Sequence, residues 1–214
     1  MDYLENLAIE LQDKFDVENI TVTEHNDGTV SGWLREGSVR EDDYISTNLL
    51  RFRSHFFDPI NEKGLNWAGI SFGNPAPDWA LEDPGEYSTQ FYSIKDAKKY
   101  LYTALTGYNF NNPNTQIAPT KAQRDRYIAK TFRALGQVLH TIQDMANPQH
   151  TRNDWHGGII PPLIGSASSY EKYIENIRWT LVYSGYGPPS FATYRKFWKS
   201  GDGKGLAEFS NRNF

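Results

Sequence analysis

Apolar side chains recur at three- and four-residue steps along much of the chain, the spacing that lines one face of an α-helix. The strongest run spans residues 120–146, where Ile128, Phe132, Leu135, Leu139 and Ile142 keep that step. Tyr170, Ile174, Ile177 and Leu181 predict a second helix over about 168–183. Leu4, Leu7, Ala8 and Leu11 predict another over 2–15. Ser93 followed by Asp96 has the form of an N-cap with an acidic third residue, opening a helix over about 94–106. A further helix is expected from Asp42 or Asp43 to about His55, stopped by Asp58-Pro59. Short helices follow near 190–199 and 204–211.

Between these runs the pattern changes. Residues 16–36 carry β-branched Ile20, Val22 and Val30 around the turn signal Asn26-Asp27-Gly28, which predicts a short hairpin or an irregular excursion. Residues 57–92 are rich in Gly, Pro, Asn and Asp and read as long loops, the kind that often carry function. Asn109 to Pro119 and residues 157–167 read as further loops. There is no internal repeat and no linker. The expected fold class is therefore all-α: a single multi-helix domain with long loops.

Composition narrows the functional classes. The chain has 214 residues, enough for one large domain with a real core. Aromatic residues make up 14% of it, which argues against disorder. A net charge of −4 gives no global basic signal for nucleic acid. With no cysteine, a metal site must be built from His, Asp and Glu. No apolar run approaches the roughly 20 residues of a membrane span. The first residues, Met1-Asp-Tyr-Leu-Glu-Asn, lack the basic and apolar regions of a signal peptide.

The candidate chemistry lies in His140-Thr-Ile-Gln-Asp144-Met-Ala-Asn-Pro148-Gln-His150. His140 and Asp144 are four residues apart on the strongest helix, so both project from one face. Pro148 ends that helix and the chain turns to present His150. Two imidazoles and a carboxylate so disposed suit a divalent transition metal, zinc first. The plainer reading is a helix-end His and a solvated Asp. Against it, both residues lie on the apolar side of the helix, and an unpaired buried carboxylate is expensive. Arg40-Glu41-Asp42-Asp43, with His55 beyond, would supply the ligands this cluster lacks; otherwise the acids are ordinary helix-start charges. His156 reads as a ligand or a loop His. Arg152 reads as a phosphate-holding residue or a salt-bridge partner. Glu171 reads as simple helix N-terminal electrostatics, and His25 as a surface residue.

These residues resemble the zinc-dependent phospholipase C family, which shares its fold with the single-strand-specific zinc nucleases. The matching stretches are Gly37-Ser-Val-Arg-Glu-Asp42, Arg53-Ser-His55-Phe-Phe-Asp58-Pro59, Phe91-Tyr-Ser-Ile-Lys-Asp96-Ala-Lys-Lys-Tyr100, and Leu135-Gly136 through His140, Asp144, Pro148 and His150. The resemblance runs from residue 37 to about residue 175. It implies a helical domain around two or three zinc ions, one held by Asp42, His55, His140 and Asp144, with Asp144 bridging to another. His150 would hold a second zinc with Glu171. The family's partner His falls at Ala167 here, and His156 is the candidate replacement. The family's third zinc uses the mature N-terminus and an early His, and this chain has no His before residue 25. Either the chain is truncated at both ends, or it binds fewer metals.

The implied chemistry is hydrolysis of a phosphoric diester by metal-activated water, with Asp42 as ligand and general base. The implied partner is a phospholipid or other phosphodiester, met by peripheral contact with a membrane surface. An extracellular or periplasmic location follows from family analogy. Phe56, Phe57, Trp67, Trp79 and Trp155 are candidate cleft walls, though rings of this kind are more often core. Two alternatives stand: a nuclease on single-stranded nucleic acid, whose bases would stack on aromatic side chains, and a non-catalytic helical protein with an incomplete site.

Overall fold

A computed structural model describes residues 28–42, 51–67, 69–82, 90–154, 169–177 and 190–213. Along the chain these form α1 (Val30–Asp42), a 3-10 turn (Arg51–Ser54), β1 (Asn66–Trp67), β2 (Ile70–Ser71), α2 (Ala76–Leu81), α3 (Ile94–Thr106), α4 (Lys121–Asp144), α5 (Pro148–Thr151), α6 (Ser169–Ile177), α7 (Tyr194–Trp198) and α8 (Leu206–Asn213). The protein is all-α. Among the described residues the paired strands are one short antiparallel ladder, Asn66 opposite Ser71 and Trp67 opposite Ile70. The helix expected over 2–15, the loop 157–167 and the end of the helix expected to reach 183 lie outside the described residues.

Local chemistry starts these helices. Thr29 caps α1: its hydroxyl accepts from the Gly32 N–H at 2.8 Å. At α3 the expected cap is present as a capping box, with Ser93 accepting from the Asp96 N–H and Asp96 accepting from the Ser93 N–H. Thr120 and Gln123 close the same kind of box at the start of α4. The last turn of α4 tightens, as Met145, Ala146 and Asn147 donate to carbonyls three residues back. Asn147 then caps α5 and Pro148 takes its first position, where the missing N–H costs nothing.

Two expectations are corrected. Val30 opens a helix and is not in a hairpin, because the Thr29 cap and the buried faces of Val30 and Trp33 outweigh β-branched propensity. Asp42 belongs to a helix that begins at Val30 rather than opening one, and Arg51–Ser54 is a 3-10 turn; residues 43–50 of the expected helix lie outside the described residues. Residues 57–92, expected as long loops with little regular structure, hold β1, β2 and α2 among the described residues, elements too short for a periodic pattern to show.

Two compact units divide the fold. The first comprises Met1–Phe52 and Asp78–Thr141. Its core gathers Val30 and Trp33 of α1, Ala104 of α3, and Ile128, Ala129 and Phe132 of α4. Within it α1 and α4 meet backbone to backbone. A Cβ on Gly37 would lie 2.0 Å from the Arg133 carbonyl oxygen, and one on Gly136 would lie 2.1 Å from that of Leu34. Only glycine permits this approach.

The second unit comprises Arg53–Pro77 and Ile142–Phe214. Leu65, Met145, Trp198 and Ala207 are buried in it. Residues 55–57 lie along α5: the Phe57 N–H donates to the His150 carbonyl at 3.0 Å. α5 also packs on α8, where Asn211 Nδ2 donates to the Thr151 carbonyl at 2.6 Å. Phe56, Phe57 and Trp79 are buried, each under 5% exposed, so they are core rings rather than cleft walls. Among the described residues no helix is long and apolar enough to cross a membrane.

Candidate metal centre

α4 carries both His140 and Asp144, one turn apart, and each meets a partner from a distant part of the chain. In the first unit His140 Nε2 lies 3.4 Å from Asp42 Oδ2. Asp42 is the last described residue of α1. The Asp42 side chain is 60% exposed, so its carboxylate reaches solvent.

In the second unit His55 Nδ1 lies 3.3 Å from Asp144 Oδ2, with the imidazole 2% exposed. His150 Nδ1 stands 3.9 Å from the same oxygen and 2.8 Å from the His55 carbonyl oxygen. The shorter contact decides the tautomer. A carbonyl only accepts, so Nδ1 carries the hydrogen and Nε2 carries the lone pair in the neutral ring. Metal-ligating imidazoles commonly donate their other N–H in this way. Phe56 stacks on the His150 ring at 4.6 Å between centroids, which fixes its plane.

Asn147 links this region to α6. Its Nδ2 donates to Glu171 Oε1 at 3.0 Å while its Oδ1 holds the Gln149 N–H. Glu171 is thereby tethered to the cap of the turn that presents His150. Arg152 turns elsewhere: its Nε and Nη2 donate to the Asn211 carbonyl at 3.3 and 3.1 Å, satisfying an end carbonyl of α8. His156, Ala167 and Trp155 lie outside the described residues, as does Asp43.

The donor set fits a divalent metal. One ligand atom from each of Asp42, His55 and His140 lies within 4.8 Å of the others, a group that can hold an ion. In a tetrahedral zinc site with bonds near 2.1 Å, ligand atoms stand about 3.4 Å apart. The Asp42–His140 separation of 3.4 Å matches that edge, whereas Asp144, with Oδ2 3.3 Å from His55 Nδ1, is not one of the three residues of that group.

Sequence reasoning missed three residues around this centre: Arg51, Gln90 and Gln137. Arg51 Nη2 donates to Glu41 Oε2 at 2.6 Å, Gln137 Oε1 at 2.9 Å and Gln90 Oε1 at 3.1 Å. All four side chains are buried. The available signal was Gln137, a polar residue three positions before His140 on the same side of α4. No family model matches this chain, and no curated protein sequence matches it.

Proposed function

We propose that this protein is a zinc-dependent phosphoric-diester hydrolase of phospholipase C type. The observation that carries the reading is the double pairing, Asp42 with His140 and Asp144 with His55, at the spacing of zinc ligands. In this reading Asp42, His55, His140 and Asp144 hold one zinc. His150, Glu171 and His156 are the ligands proposed for a second. Bound zinc supplies a water acidic enough to attack phosphorus near neutral pH and offsets charge on the leaving oxygen.

The chain's own residues have separate tasks. His55 and His140 donate lone pairs and carry no charge when neutral, whereas Asp42 and Asp144 bring negative charge that a cation neutralises. Asp42 is the proposed general base, since its exposed carboxylate can accept a proton from a water beside it. The His150 ring is held by the His55 carbonyl and by Phe56, so a substrate would not have to organise it. A phospholipid is the favoured diester, reached by peripheral contact with a membrane surface at an extracellular or periplasmic location.

The test combines metal analysis with turnover. Protein dialysed against trace zinc should retain at least one equivalent. It should hydrolyse phosphatidylcholine faster than single-stranded DNA, and His140→Ala should abolish that activity without unfolding the chain. Equal turnover by metal-free and zinc-loaded protein would remove the mechanism. A preference for single-stranded DNA would reassign the substrate to nucleic acid.

A further inference from the structure

Resting on the metal-centre reading above, we infer that Arg51, with Glu41 and Gln137, is a positioning clamp that fixes Asp42 against His140. The clamp touches both helices that carry the pair. Glu41 immediately precedes Asp42 at the end of α1, and Gln137 lies three residues before His140 on α4. Arg51 Nη2 joins them, at 2.6 Å from the Glu41 carboxylate and 2.9 Å from the Gln137 amide oxygen.

α1 and α4 cross closely at Gly37 and Gly136, and their shared core of Val30, Trp33, Ile128, Ala129 and Phe132 lies toward the N-terminal side of that crossing on both helices. Glu41 lies one turn beyond Gly37, roughly 6 Å along the axis. A bridge there ties the two helices on the other side of the crossing, the side that carries Asp42 and His140. The guanidinium is itself immobilised. Its Cζ sits 4.7 Å from the Trp79 ring centroid, and the Trp79 Nε1–H donates to the other Glu41 oxygen at 2.8 Å.

Stability alone does not explain this arrangement. A buried ion pair is a weak stabiliser compared with apolar side chains of the same volume. Gln137 is 1% exposed, and its Nε2 has no hydrogen-bond partner among the described residues, a further cost. Residues that stabilise poorly but span the two ligand-bearing helices suit a role in geometry.

Gln137→Met tests this, because it keeps the volume and removes the acceptor. Three readouts are needed on the full chain: thermal melting of metal-free protein, zinc affinity by chelator competition, and the visible spectrum of the Co2+ form. The variant should melt at the wild-type temperature or above, bind zinc roughly 10–100-fold more weakly, and show a changed Co2+ band. Arg51→Met should weaken zinc binding further; Gln137→Met is decisive whether or not Arg51→Met folds. Wild-type zinc affinity and an unchanged Co2+ band in Gln137→Met would overturn the clamp while leaving the metal centre standing. If the wild type itself binds neither zinc nor Co2+, the metal reading falls and the clamp with it.

Discussion

Glu208 shows how much one side chain can organise. Its carboxylate accepts from the Ser200 N–H, the Ser200 hydroxyl, and the N–H groups of Gly201 and Gly205. Partial burial pushes its pKa up, but the bonds from Ser200, Gly201 and Gly205 pull harder, and the net value falls below the ordinary 4.5. A carboxylate depressed in the folded state adds stability that is complete above its unfolded pKa. That stability is lost as pH falls through the folded value. The stability gap between wild type and Glu208→Gln should therefore narrow as pH drops below about 4.5. Urea midpoints at pH 6 and pH 3 measure it, and a constant gap would contradict the assignment. Asp42 makes the complementary point. Its residue type points to a ligand, but its acidic surroundings suggest a helix start, and only the fold puts it in a helix that begins at Val30.

Helix α4 was legible because its determinants are local: a Thr120–Gln123 capping box and an unbroken three-four apolar step. α3 was legible for the same reason. α1 was not, since its core-facing residues include Gly32, Glu36, Gly37 and Glu41, which no hydrophobic pattern marks. Its place is set instead by contact with α4. An Ala in a helix interior is normally more stable than Gly by about 1 kcal/mol. Gly136→Ala should reverse that sign, because its Cβ would meet the Leu34 carbonyl oxygen at 2.1 Å. The expected loss is about 1–3 kcal/mol. Ser93→Ala, which opens the α3 capping box, should cost about 1 kcal/mol. Denaturant unfolding of both variants checks the signs. A Gly136→Ala protein at least as stable as wild type would mean that α1 and α4 do not approach so closely.

At the scale of the whole molecule, metal binding and folding should be linked. The proposed ligands come from four separated stretches of chain, and an unfolded chain does not hold them together. Zinc that binds only the folded form adds about 2.7 kcal/mol when free metal is one hundred times Kd. The melting temperature should rise with added zinc, fall with a chelator, and stop responding to zinc in Asp144→Asn. Calorimetry with and without chelator reads this directly. A zinc-independent melting temperature would remove the linkage.

Taken alone, the sequence determined the helical class, the N-terminal cap of α3, and the turn that separates His140 and Asp144 from His150. Each of these rests on interactions within a few residues, where spacing is itself the geometry. The tertiary structure alone decided who faces whom. It set His150 against the His55 carbonyl, a separation of 95 residues in sequence, and Arg51 against Gln137, a separation of 86. Such pairs depend on close helix approach and on which polar groups the core must satisfy. Neither leaves a periodic trace along the chain. The candidate ligand types were written in the sequence, whereas the arrangement that could make them a site exists only in the packed molecule.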